Sequence, residues 1–194
     1  MSGDHPEVPV AARVRDLEER LIAAGLVTDE ELEAILADVF ASASPVNGAR
    51  MVARAWTDPA YRDRLLADAN AAAAELGFAA GTRGYLLKAV ENTPDVHNVI
   101  VCTLCSCYPT SLLGPSPGWY KSFAYRSRVV REPRAVLAEF GLELPQDTEI
   151  RVWDANSETR YLVVPRPPDL PGRAAEDSLA ELVTRNGLIG TAVR

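Results

Sequence analysis

Three cysteines, Cys102, Cys105 and Cys107, fall within six residues of a 194-residue chain that has no others. An odd number packed this closely excludes a disulfide framework. Thiolates are soft ligands, and in a Cys-x-x-Cys-x-Cys spacing they cannot avoid one another, so the segment is expected to fold as a tight metal-binding loop. A tetrahedral zinc site needs a fourth Cys or His. The two histidines are His5, in a polar Pro-bearing start, and His97, five residues before Cys102 on an expected strand. An odd separation along a strand sends two side chains to opposite faces, which discounts His97 as a ligand. A redox dithiol of Cys102 and Cys105 is the other reading, and it leaves Cys107 unexplained. If backbone nitrogens of Ser106 and Cys107 completed the site, they would have to be deprotonated, which a strongly Lewis-acidic trivalent ion favours. Three sulfurs and two nitrogens would then leave one octahedral position open for hydration or hydrolysis chemistry.

The rest of the chain supplies 21.0 kDa, 47% of it hydrophobic residues, enough for one core and a helical appendage. With 27 acidic against 20 basic residues and a net charge of −7, no basic surface is available for nucleic acid. No apolar run approaches the roughly 18 residues of a membrane span, and the first twenty residues hold no signal-like apolar stretch. A soluble, cytoplasmic protein is expected.

Apolar Val10, Val14, Leu17, Leu21 and Ile22 step at helical spacing and predict an amphipathic helix stopped by Gly25. Thr28 and Glu31 form the capping-box signature of a second helix carrying Leu32, Ile35, Leu36, Val39 and Phe40. Asn47 is placed as the cap of a third helix over 49–56, and Asp58-Pro59 opens a fourth that runs to Gly77. Gly81 to Gly84 reads as a hinge. Strands are expected over 85–90, 96–101, 149–153 and 160–164, the last two as a hairpin around 154–158. Helices are expected from Pro133 to Gly141 and over 178–185. The layout is α+β: a helical arm, residues 1–80, followed by an α/β layered metal-binding domain, residues 81–194. An arm with apolar stripes and no sheet of its own is expected to bury them against a partner chain.

The run Cys102-Thr103-Leu104-Cys105-Ser106-Cys107, followed by Tyr108-Pro109, closely resembles the metal claw of the nitrile hydratase α subunit, and Thr103 is similar to the cobalt type. The resemblance covers roughly the last hundred residues, through Val90-Glu91-Asn92-Thr93, Trp119-Tyr120-Lys121-Ser122, Val130 to Arg134, Val152-Trp153-Asp154 and Glu158 to Val163. It implies a non-corrin, low-spin Co(III) bound by the sulfurs of Cys102, Cys105 and Cys107 and the main-chain nitrogens of Ser106 and Cys107. It implies oxidation of Cys105 to sulfinate and of Cys107 to sulfenate. A nitrile would be hydrated to its amide by water or by the Cys107 sulfenate oxygen. The implied partners are a β subunit, whole or split into two chains, whose arginines hold the added oxygens, and a cobalt-inserting activator chaperone. Asp154 and Glu158 match acidic positions of an outer-sphere network that orients the site and relays protons, against the plainer reading that they solvate a hairpin tip.

Arg126, Arg128, Arg131 and Arg134 are candidates for contact with the claw, with solvent pairing expected for at least half of them. Trp119, Tyr120 and Trp153 read as core or interface residues. Many cobalt-type members continue Tyr-Pro with Trp-Pro, whereas this chain has Thr110-Ser111. The departure implies a roomier, more polar pocket suited to a bulky heteroaromatic or nucleoside nitrile. The thiocyanate hydrolase catalytic subunit resembles the same family in claw and fold and is the alternative within the class. A non-catalytic zinc or redox-thiol protein is the alternative outside it.

Overall fold

The computed structural model describes residues 9–78, 84–169 and 174–194. The expected hinge falls largely on 81–83, outside the described residues. By contacts the chain divides into two compact units, Met1–Ala41 and Ser42–Arg194.

In the first unit, α1 (Val10–Ala23) ends ahead of Gly25, whose φ of +67° suits glycine. The capping box of α2 (Asp29–Ser42) closes in both directions. Thr28 N–H donates to Glu31 Oε2 at 2.9 Å, and Glu31 N–H donates to Thr28 Oγ1 at 3.1 Å. Helix α1 buries no residue, and Val10, Val14, Leu17, Ile35 and Leu36 stay exposed.

The second unit opens with α3 (Pro45–Thr57), α4 (Pro59–Ala67) and α5 (Ala69–Glu75). Ser44, not Asn47, caps α3: its Oγ accepts Val46 N–H, and Pro45 fills the first helical position. Asn47 lies inside the first turn, and its amide donates to the carbonyls of Ser42 and Ser111. Asp58 caps α4 as expected, through Tyr61 N–H. The helix expected to run on to Gly77 breaks at Asp68, which leaves helical geometry and caps α5 through Ala71 N–H. Helix α3 buries Ala49, Met51, Val52, Ala53 and Ala55 in the core. Its Gly48 lies so close to the next layer that a Cβ would meet Leu112 O at 2.8 Å.

Four strands follow the expected positions, β1 (Leu86–Glu91), β2 (Val96–Val101), β3 (Glu149–Asp154) and β4 (Thr159–Val164). The expected β3–β4 hairpin does not form. Instead β1 pairs in parallel with β4, and β2 in parallel with β3, with Val96 opposite Glu149 and Val101 opposite Asp154. Hydrophobic alternation reports which face of a strand is buried, not which strand lies beside it. Strand β2 is buried from His97 to Val101, as strands in parallel pairs usually are. Residues 155–158 therefore cross from one ladder to the other, and Ala155 N–H extends the second ladder by donating to Val101 O at 2.7 Å.

Parallel neighbours need a long crossover. The one between β2 and β3 holds the cysteine loop and four short helices, α6 (Thr110–Leu113), α7 (Gly118–Lys121), α8 (Phe123–Arg128) and α9 (Pro133–Glu139). Near the C-terminus, the helix expected over 178–185 is two, α10 (Glu176–Ala180) and α11 (Arg185–Ile189), because Thr184 caps a new start through Gly187 N–H. One core joins α3, α4 and α5 to β1, β2 and β4 and to α11, through Met51, Leu65, Ala72, Leu87, Ile100, Leu162 and Leu188.

A polar seam holds the two ladders together inside that core. Asn98 N–H and its side-chain amide both donate to Asn92 Oδ1, the amide also reaches Glu91 O, and Trp153 Nε1–H donates to Asn98 Oδ1 at 2.8 Å. His97 belongs to this seam, with Nε2 at 2.8 Å from Gly190 O. Burial holds its pKa below the usual histidine value, so the ring is neutral and Nε2–H is the donor.

Candidate metal centre

The cysteine loop leaves the C-terminal end of β2, the end at which parallel strands present their functional loops. Cys102 is buried, Cys105 exposed and Cys107 half-buried. Their Sγ atoms converge: Cys105 lies 3.2 Å from Cys102 and 3.0 Å from Cys107, and all three fit within 4.8 Å of one another. Cys105 N–H donates to Cys102 Sγ at 3.3 Å. A cluster of three soft sulfurs is a donor set fitted to a thiophilic ion.

Hydrogen bonding within the trio lowers one thiol and helps raise another. Hydrogen bonds from the Cys107 and Cys102 thiols, with smaller help from the Cys107 and Ser106 amides, bring the Cys105 thiol down to about 7. Cys107 is pushed up to about 12, first by burial and then by its bond to Cys105, with the charge of Arg160 opposing. A metal binds the deprotonated form, so the lowering at Cys105 favours capture of a metal by the trio.

Three side chains from outside the loop fasten its backbone. Both carboxylate oxygens of Asp154 accept from Thr103, Oδ1 from the backbone N–H at 2.9 Å and Oδ2 from the hydroxyl at 2.6 Å. Hydrogen bonds to a charged acceptor are roughly twice as strong as neutral ones. The parallel register creates this clamp, because it sets Asp154 beside Val101, two residues before Thr103. Arg126 Nη1 donates to Cys105 O at 3.0 Å. Tyr120, fully buried, donates its hydroxyl to Cys107 O at 3.0 Å.

Beneath the loop lies an aromatic bed. Tyr108 packs edge-on against Tyr120 at 5.1 Å, Trp119 against Tyr125 at 4.8 Å and against Phe140 at 4.7 Å. Tyr125 donates to Ile100 O at 2.6 Å, pinning the strand that feeds the loop. Burial pushes the hydroxyls of Tyr108, Tyr120 and Tyr125 well above the usual phenol range, so they persist as donors.

The structure brings Cys102, Cys105, Ser106, Cys107 and Asp154 together and leaves Glu158 apart. The carboxylate of Glu158 is exposed and makes no hydrogen bond or ion pair among the described residues; its backbone N–H donates to Asn156 Oδ1. Of the four candidate arginines only Arg126 reaches the claw. Arg128 pairs with Glu132 and Glu139, Arg131 donates to Ser127 O, and Arg134 ties the carbonyls of Leu144, Pro145 and Thr148. Tyr120 is core as expected and also a loop anchor, a role with no sequence signal beyond its neighbourhood. Arg160 lies within the resembling run Glu158 to Val163 but carries no site signal of its own: it is on β4, 5.0 Å over the Tyr85 ring, and its charge bears on Cys107. Tyr85 in turn shares a 3.4 Å hydroxyl contact with Ser111.

A tricysteine loop at the mouth of a parallel strand pair, clamped by a carboxylate, defines a candidate thiolate metal centre in an α+β chain. The family model "Nitrile hydratase, alpha chain" matches residues 8–192. The low-molecular weight cobalt-containing nitrile hydratase subunit alpha of Rhodococcus rhodochrous is 47% identical over 184 residues, 95% of this chain and 88% of that one. The thiocyanate hydrolase subunit gamma of Thiobacillus thioparus is 41% identical over 202 residues, 95% of this chain and 83% of that one. Among solved structures, a double mutant of the Fe-type nitrile hydratase from Comamonas testosteroni Ni1 superposes with a TM-score of 0.88 at 41% identity, over 96% of this chain and 91% of that one. The chain belongs to the nitrile hydratase alpha-chain family.

Proposed function

We propose that this chain is the metal-bearing α subunit of a cobalt nitrile hydratase, which hydrates a nitrile to the corresponding amide. The observation that carries the reading is the convergence of three sulfurs within 4.8 Å on a loop whose backbone is fastened by Asp154, Arg126 and Tyr120. A cobalt-containing relative at 47% identity supports the metal. The sulfurs of Cys102, Cys105 and Cys107 and the main-chain nitrogens of Ser106 and Cys107 would hold a non-corrin Co(III). Bound there, such an ion supplies Lewis acidity, which polarises a carbon–nitrogen triple bond or lowers the pKa of water.

The chain's own residues have separate tasks in this reading. Cys107, oxidised to sulfenate, is the catalytic sulfur facing substrate, and Cys105 is carried as sulfinate. Asp154 positions the claw by gripping Thr103 at two points. Glu158, whose carboxylate has no partner among the described residues, takes its outer-sphere role in the assembled enzyme. The partner is a β subunit, as one chain or two. Exposed Val10, Val14 and Leu17 on α1 support an arm that covers it, and Leu104 and Phe123, 87% and 78% exposed, support closure of the site by the same partner. An activator chaperone loads the cobalt. A cytoplasmic location is part of this reading; among the described residues no helix is long and apolar enough to cross a membrane, and none of the three cysteines forms a disulfide.

Thr110, half-buried at the start of α6, and Ser111, in contact with the Tyr85 hydroxyl, support a polar, roomy pocket for a bulky heteroaromatic or nucleoside nitrile. The test is turnover by the complex, expressed with its partner subunit and activator in cobalt-supplemented cells. The expected result is amide from a nucleoside nitrile in preference to acrylonitrile. Carbonyl sulfide and ammonia from thiocyanate, without amide formation, would move the chain to the thiocyanate hydrolase reading.

A further inference from the structure

We infer that Arg126 is the counter-charge of the Cys105–Ser106 peptide group and sets how strongly its nitrogen donates to the metal. The inference rests on the ligand set proposed above, in which Ser106 N is a deprotonated ligand.

The carbonyl oxygen of Cys105 and the nitrogen of Ser106 belong to one planar, conjugated peptide unit. Negative charge placed on that nitrogen is shared with that oxygen, and the oxygen is where Arg126 Nη1 donates at 3.0 Å. Arg126 has no carboxylate partner among the described residues, and its Nε is buried without a hydrogen bond. Arg128, two residues on, is by contrast neutralised by Glu132 and Glu139. The positive charge of Arg126 is thus reserved for the claw.

Its placement is fixed from both sides. Ser122 caps α8 through Tyr125 N–H, and the Tyr125 hydroxyl is tied to Ile100 O. The second ligand peptide, Ser106–Cys107, is treated differently: its oxygen, Ser106 O, accepts no hydrogen bond among the described residues, while Tyr120 serves the next carbonyl, Cys107 O. The two nitrogen donors are therefore electronically unequal, with charge drawn away from Ser106 N towards the guanidinium. A less donating nitrogen leaves the metal a stronger Lewis acid.

A mere loop staple is the rival reading, and Arg134, holding three carbonyls far from the sulfurs, shows that this chain uses arginine so. The charge distinguishes the two. Arg126→Lys keeps it, whereas Arg126→Gln keeps a donor without it, and Arg126→Met removes both. Each variant is prepared as the cobalt-loaded complex with its partner subunit, with urea midpoints to verify folding. Cobalt per chain after chelator dialysis and the energy of the thiolate-to-cobalt absorption band are then measured. The guanidinium also stabilises the deprotonated peptide, so the Gln and Met variants, in which that nitrogen is harder to deprotonate, are expected to lose cobalt about tenfold faster and, with a less Lewis-acidic metal, to shift the band to higher energy, with Lys close to wild type. Gln matching Lys, or a band that no variant moves, overturns the role of Arg126 and leaves the ligand set standing. A wild-type complex without cobalt overturns both.

Discussion

Two loops leave the same end of the β2–β3 ladder, and the structure builds them to opposite standards. The loop after β2, residues 102–107, has its backbone held by Asp154, Arg126 and Tyr120 over a packed aromatic bed. The loop after β3, residues 155–158, is held by backbone bonds to Val101 and Leu86 and by the Asn156 side chain, with no outside side chain on it among the described residues, and presents Glu158 to solvent. Two carboxylates four residues apart thus have different standing. Asp154 is the last residue of the strand and faces the claw, whereas Glu158 lies past the point where the chain crosses to the other ladder. Position relative to a strand end, rather than acidity, decides which one takes part in building the centre.

The largest effect separating the loops is expected from the sulfurs. Cys105→Ser removes the central ligand of the trio and is expected to abolish both cobalt binding and hydration, read by elemental analysis and amide formation. Next comes Asp154→Asn, which loses the charge-assisted grip on Thr103 and is expected to lower cobalt retention or turnover by about 10- to 100-fold. Glu158→Gln is the matched control: cobalt retention should stay at the wild-type level, and any loss should show in turnover of the assembled enzyme. Equal loss of cobalt in the two variants would erase the distinction between the loops.

Smaller effects probe the frame under the claw. Tyr120→Phe deletes the hydroxyl bond to Cys107 O and leaves that carbonyl unpaired, at a cost of about 1 kcal/mol in urea unfolding. The smallest is a pH effect at His97. Burial keeps its folded-state pKa below the ordinary 6.5, so the unfolded chain takes up a proton that the folded chain refuses. Its share of stability is complete above that pH and falls as the pH drops through it towards the folded value. His97→Gln is expected to flatten the urea midpoint against pH over that interval.

What the sequence disclosed follows the range of the interactions concerned. The Thr28–Glu31 box and the Asp58-Pro59 start are written within four residues and appear as expected. Ser44 displaces Asn47 because Pro45 fixes the first turn, and Asp68 interrupts an alanine-rich run because its carboxylate competes for backbone N–H groups. Strand positions were legible from apolar runs, turn residues and, for 149–153 and 160–164, alternation, but their partners were not, since parallel pairing joins residues more than fifty apart. The same limit governed the site. The three sulfurs declare themselves by spacing, whereas the link from Asp154 to Thr103 exists only through the β2–β3 register, and Arg126 stands out from its neighbours only because Arg128 has found its own carboxylates.

The most direct test is elemental analysis with peptide mass spectrometry across Cys102–Cys107, on protein expressed in cobalt-supplemented cells with its partner subunit and activator. The account predicts near-stoichiometric cobalt, two added oxygens on Cys105 and one on Cys107. Zinc or no metal, with three unmodified thiols, would contradict it and leave the claw a structural or redox cluster.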